Sequence, residues 1–165
     1  MRVYVPLTLS GLAEAYKAGE LGPGAAYAVT PALREWYASD DIEELEYAAL
    51  NRAAFASLRL VAGDPGVARR RVVLAADVPD EGVEPGSGSA SASELGEVRV
   101  ARVLGLKKVA AVHVDAEDAV GDVAAAVGVL GAADQGDDDA WFAGGGVEDR
   151  ELLWFATQEI AGLIG

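Results

Sequence analysis

His113 is the only histidine in the chain, and Asp115 stands two positions after it. Strand-like alternation through Lys108 to Val114 puts Ala111, His113 and Asp115 on one face. An imidazole beside a carboxylate can act as a general base, and the carboxyl end of a strand is where open α/β sheets bind ligands. No nucleophile in a recognisable motif accompanies the pair. The plainer alternative is a polar residue on a solvated strand face, with Asp115 as the N-cap of the next helix. That alternative is the expectation.

A second group is aromatic. Trp36, Tyr37, Tyr47, Trp141, Trp154 and Phe155 fall in predicted helices or their approaches. Clustered, they could line a ligand pocket or a subunit interface; residues of this kind are more often core. A third group is acidic. Asp40, Asp41, Glu43, Glu44 and Glu46 precede Asn51, and Glu43, Tyr47 and Asn51 share a helix face. Paired carboxylates can hold Mg²⁺ or Ca²⁺. The chain has neither Glu-x-x-His nor EF-hand spacing, and acids at a helix start complement the dipole. No metal is expected. Gly144-Gly145-Gly146 lacks a dinucleotide or Walker pattern, and Glu148 and Asp149 would repel phosphate, so no cofactor is expected.

Composition removes further chemistries. With no cysteine among 165 residues, disulfides, thiolate metal sites and thiol nucleophiles are excluded. The formal charge of −14 is uneven. Residues 1–109 hold 12 basic and 15 acidic side chains, whereas residues 110–165 hold Arg150 against 12 acids. Such a balance disfavours nucleic acid and anionic membrane surfaces as partners. Seven basic residues (Arg69, Arg70, Arg71, Arg99, Arg102, Lys107 and Lys108) gather in mid-chain. They are read as balancing acids elsewhere in the fold, with an anion-binding strip as the sharper alternative. No apolar run approaches the roughly 18–20 residues of a membrane span, and no signal peptide is expected, so the cytoplasm is the expected location.

The elements that must position these residues follow from pattern. Arg2–Leu7 alternates as a strand with Val3, Val5 and Leu7 on one face. A helix is predicted from Ser10 to Leu21, and a short strand from Ala25 to Val29. Thr30-Pro31 opens a short helix through Tyr37. Ser39-Asp40-Asp41 opens a longer one, with Asp40 and Glu43 in capping-box spacing, and Gly63-Asp64-Pro65-Gly66 ends it. Arg70 to Val78 is the clearest strand. Residues 81–96, rich in Gly, Ser and Ala, read as a flexible loop. Val98–Val103 and Lys108–Val114 suggest two neighbouring strands. A small-residue helix is predicted to Leu130, a short strand at Trp141–Ala143, and a final helix from Glu148 to Ile164. Glu44–Ala49 and Glu151–Ala156 look alike, which raises an internal duplication of strand–helix units.

Several blocks resemble those of a small actinobacterial family of uncharacterised proteins. They are Arg2–Thr8, Ala28–Tyr37, Glu44–Ala49, Arg69–Pro79 and Glu151–Ile160. The resemblance covers most of the chain outside residues 81–96 and implies no activity, substrate or catalytic residue. The expectation is one domain over residues 1–165, an α/β (α+β) two-layer sandwich with a mixed sheet and helices mainly on one face. Its expected role is that of a small cytosolic binding or regulatory protein without enzymatic activity, able to pair with itself as a homodimer. The alternative is a small-molecule enzyme whose pocket uses His113, Asp115 and the aromatic residues.

Overall fold

Five consecutive apolar residues, Val72 to Ala76, are all buried, so this strand has covered surface on both of its faces. The computed structural model describes residues 1–85, 96–134 and 150–164. Its elements run β1 (Arg2–Leu7), α1 (Leu9–Ala18), β2 (Glu20–Leu21), β3 (Gly24–Tyr27), α2 (Pro31–Tyr37) and α3 (Ile42–Ala62). There follow β4 (Val72–Asp77), β5 (Val83–Pro85), β6 (Glu97–Val100), β7 (Leu104–Gly105), β8 (Val109–Val114), α4 (Val120–Asp134), β9 (Leu153–Phe155) and α5 (Ile160–Ile164). Seven strands form one sheet in the order β5-β6-β3-β1-β4-β8-β9, while β2 and β7 pair separately.

The protein is a mixed α/β fold, as the alternating strand and helix patterns imply. Within it, every strand pairing described is antiparallel, where a sheet of mixed direction was expected. The helices also occupy both faces rather than mainly one. On one face Val3, Val5, Val72, Leu74, Val98, Val112 and Val114 pack with Leu12 of α1 and Ile160 of α5. On the other, Tyr4, Tyr27, Val73 and Ala75 lie with Leu33 of α2 and Leu45, Ala49 and Ala53 of α3. The C-terminal half of α3 then packs on α4 through Leu58, Val61, Val123, Ala126 and Leu130. The physical reason is composition: strands apolar at successive positions leave two faces to cover, and one helical layer covers only one.

Local signals set the helix starts. Thr30 accepts the Leu33 amide at 3.2 Å with Pro31 in the first turn, as expected. The α3 cap is Asp41, one residue after the expected Asp40; its Oδ1 accepts the Glu43 amide at 3.1 Å and the Glu44 amide at 3.5 Å. Leu45, Ala49, Ala53, Ser57 and Val61, spaced by four, form the buried stripe of that helix.

Other expectations change. Val98–Val100 and Val109–Val114 are not neighbours, because β6 sits between β5 and β3 while β8 sits between β4 and β9. The supposed loop at 81–96 is structured at both ends. Val83–Pro85 pairs with β6, and Gly96, at φ 86°, accepts the Ala28 amide at 2.9 Å. Residues 86–95 between them lie outside the described residues. The final helix begins only at Ile160; Leu153-Trp154-Phe155 instead forms an edge strand on β8. A β-favouring run beside an open strand edge overrides the helical spacing of Leu152, Ala156 and Ile160. Glu44–Ala49 is therefore helix and Glu151–Ala156 is centred on strand, so their likeness reflects no common local structure.

Candidate functional site

The site begins at the carboxyl end of β8. His113 lies within the strand and Asp115 just past its end, and their environments differ. Asp115 is completely buried, and Arg71 at the entry of β4 is 6% exposed. Arg71 donates from Nε to Oδ2 and from Nη2 to Oδ1 of Asp115, both at 2.8 Å. The Arg71 amide donates a further bond to Oδ2 at 2.8 Å. Both carboxylate oxygens are thus taken by one residue, in the fork geometry that makes Arg–carboxylate pairs strong. Asp115 is neither a helix N-cap nor the partner of His113. The expected couple is not assembled.

The same junction absorbs the basic run. Arg71 Nη2 also donates to the Arg150 carbonyl at 3.0 Å, tying the approach to β9 into the pair. Arg150 in turn donates to Asp122 at 2.6 Å and to Asp118 at 3.1 Å, at the start of α4. Arg70 donates to the Asp115 carbonyl at 2.9 Å. Arg69 donates to the Val61 and Asp64 carbonyls at 2.9 and 3.1 Å, where α3 ends. Lys107 and Lys108 lie at the opposite end of the sheet, since Val72 pairs with Val114 and Ala76 with Val109. Arg99 stands opposite Glu84 in the β5–β6 register. The basic residues do not form one anion-binding strip.

His113 is half-buried on the α3 side of the sheet, directly opposite Val73 on β4 and Trp154 on β9. Burial holds its imidazole below the ordinary value of 6.5, and the charge of Arg2 acts in the same direction. The neutral form is favoured. No nucleophile is presented to it among the described residues. Ser57, the one fully buried serine described, donates from Oγ to the Leu7 carbonyl at 2.7 Å and accepts the Val72 amide at 2.9 Å. Tyr4 donates to Glu46 at 3.2 Å, and its phenol is pushed up to about 12 by burial and then by the Glu46 charge. Each of these groups bonds structure to structure.

The aromatic candidates are divided. Trp36 and Trp154 are each 60% exposed, Tyr47 50% and Tyr37 40%, so they stand outside the core that was expected to hold them. Trp36 and Tyr37 end α2, while Trp154 sits on the edge strand. Tyr47 on α3 donates to Glu151 at 3.2 Å, just before β9. Trp141 and Gly144–Gly146 lie outside the described residues. Among the described residues no three His, Cys, Asp or Glu side chains converge to hold a metal, and no helix is long and apolar enough to cross a membrane. An apolar notch of about 20 Å³, lined by Val5, Leu21, Gly24, Val100 and Leu104, has room for about one water.

Sequence reasoning missed Arg71, Ser57 and Arg150 as junction residues. The signal for Arg71 lay in the sequence: a basic residue just before one apolar strand and an acid just after another. What the pattern lacked was the knowledge that β4 and β8 are antiparallel neighbours.

The fold and site together define an acidic α/β protein in which buried Arg71, Asp115 and Ser57 serve the scaffold while Trp36, Tyr37, Tyr47 and Trp154 are exposed. The chain belongs to a family of unknown function, DUF6912, which it matches over residues 1–164. No curated protein and no solved structure matches it.

Proposed function

We propose that this protein works by binding a macromolecular partner, without catalysing a reaction. One observation carries the reading: Trp36, Tyr37, Tyr47 and Trp154 are 40–60% exposed, whereas Asp115 and Ser57 are spent on internal hydrogen bonds. Exposed tryptophan and tyrosine are the residue types that most often anchor protein interfaces. An acidic, cysteine-free composition supports the cytoplasm as the place of action, and its abundance of Ala, Gly and Val supports an actinobacterial origin.

Site-specific photo-crosslinking tests the reading. A crosslinking amino acid placed at Trp36 and at Trp154, in cells of the source organism, is expected to give discrete adducts. The same group at Lys17, an exposed position on α1, is expected to give none. Equal adduct patterns at all three positions, or none at any, would overturn the proposal. So would an activity in a hydrolase and transferase screen that vanishes in a folded His113→Ala variant.

Self-association is the second reading, and the β9 edge favours it. Among the described residues β9 pairs only with β8, and Leu153 and Trp154 are exposed along it. An edge strand with open backbone groups is a template for pairing with another chain. Sedimentation that shows a concentration-dependent dimer in the wild type and a monomer in Trp154→Glu would support this. A monomer at all concentrations would remove it.

A further inference from the structure

The corner between α2 and α3 combines exposed aromatic rings with a run of acids. Trp36 and Tyr37, both exposed, end α2, and Ala38 at φ 49° turns the chain towards the cap of α3. Residues 34–46 hold one base, the exposed Arg34 in the last turn of α2, against six acids (Glu35, Asp40, Asp41, Glu43, Glu44 and Glu46). Three of these have structural partners. Asp41 caps α3, Glu44 accepts the Ser39 hydroxyl at 3.1 Å, and Glu46 accepts the Tyr4 hydroxyl at 3.2 Å. The carboxylates of Glu35, Asp40 and Glu43 are exposed and make no hydrogen bond or ion pair among the described residues.

We propose that this corner docks a basic, amphipathic segment of a partner protein, with Trp36 and Tyr37 as the apolar anchors and Glu35, Asp40 and Glu43 as the charged rim. The inference rests on the binding-protein reading and names its partner class. Charge complementarity selects the occupant. An anionic membrane or nucleic acid is repelled by these carboxylates, and at this corner so is the acidic surface of a second copy, leaving the β9 edge as the separate place for self-association. A lysine or arginine gains twice here, from the carboxylates and from the face of the indole. Its apolar neighbours then cover the aromatic rings, which a bare polycation leaves wet.

Fluorescence anisotropy with a labelled synthetic peptide, Lys, Leu and Trp patterned as an amphipathic helix, tests this at physiological salt. Three variants are compared with the wild type. One removes the anchors (Trp36→Ala, Tyr37→Ala) and one the rim (Glu35→Gln, Asp40→Asn, Glu43→Gln). A control neutralises three exposed acids elsewhere (Glu14→Gln, Glu20→Gln, Glu84→Gln). Each corner variant is expected to weaken binding by about tenfold, within reach of one cation–π contact and its ion pairs. The control is expected to change it by less than about threefold, and an all-lysine peptide of equal charge to bind about tenfold more weakly. Equal weakening by the control, or no effect of losing Trp36 and Tyr37, would overturn the proposal. If the peptide result is negative while crosslinks at Trp36 persist, this inference falls and the binding-protein reading stands. If crosslinks at both Trp36 and Trp154 are absent, both fall.

Discussion

Asp115 receives three hydrogen bonds from Arg71 and returns one, its own amide donating to the Arg71 carbonyl at 3.1 Å. This exchange fastens the entry of β4 to the exit of β8 and, through Arg150, to the approach of β9. A buried pair of this kind gains little over an apolar replacement, but removing one partner leaves the other charge stranded. Arg71→Met is therefore expected to cost about 3–5 kcal/mol, measured by urea unfolding. In a cycle with Asp115→Asn the two losses are expected to be strongly non-additive. Additive losses would show that the contacts act independently.

Ser57 ties α3 to two strands at once, through the Leu7 carbonyl and the Val72 amide, at the point where Leu7 and Val72 face each other in register. Ser57→Ala strands both backbone groups in a site without water access. The expected loss is about 1–3 kcal/mol. A change below about 0.5 kcal/mol, the scale of an ordinary surface substitution, would mean that the backbone finds other partners.

Two glycines with positive φ separate conformational strain from steric conflict. Gly19, at φ 74°, has no atom within 4 Å of a built Cβ; Gly96, at φ 86°, would place that atom 3.0 Å from the Ala28 carbonyl oxygen. Gly19→Ala is expected to cost only the left-handed penalty of about 1–2 kcal/mol. Gly96→Ala is expected to cost more, because it also presses on the backbone that Gly96 helps to anchor. Equal losses at the two positions would show that the β3 end yields freely.

What the sequence made legible was local. The faces of β1, the Thr30-Pro31 helix start and the long α3 stripe each depend on side chains within a few positions of one another. Strand order depends on contacts between residues such as Val73 and His113, 40 positions apart, and no local period encodes that. The C-terminal stretch shows the conflict directly. Leu152, Ala156 and Ile160 have helical spacing, yet Trp154 pairs with His113 across the edge of the sheet. Of the site residues, His113 lies on β8 as its alternation predicts, whereas Asp115 stands just past the strand and meets in Arg71 a partner that alternation could not reveal. Residue type alone predicts core for the aromatics; Phe155 does pack against the core, whereas the exposure of Trp36, Tyr37, Tyr47 and Trp154 depends on where α2, α3 and β9 sit in the fold.

That exposure has a cost in stability terms that is easily measured. Trp36→Ala and Trp154→Ala are expected to change unfolding free energy by no more than about 1 kcal/mol, since most of each ring is already in water. Leu45→Ala, at a completely buried position under α3, is expected to lose about 2–5 kcal/mol. A large loss at either tryptophan would assign it to the scaffold and weaken its claim as an interface anchor.

The single histidine makes the sheet edge directly observable in solution. Burial lowers the His113 value beneath 6.5, so between the folded value and 6.5 the unfolded chain binds more protons than the native one. Stability from this group is complete above 6.5 and is lost as the pH falls from there through the lowered folded value. Below that value the loss is constant. Proton NMR of the native protein is expected to show one imidazole titration with a midpoint under 6.5. The wild type is expected to lose more stability than His113→Gln on going from about pH 7.5 to about pH 5.5, because the variant lacks the extra proton uptake of unfolding. Comparing the two chains cancels the carboxylates they share. A midpoint at or above 6.5, or parallel pH profiles in the two proteins, would show that His113 is solvated as freely as a surface residue.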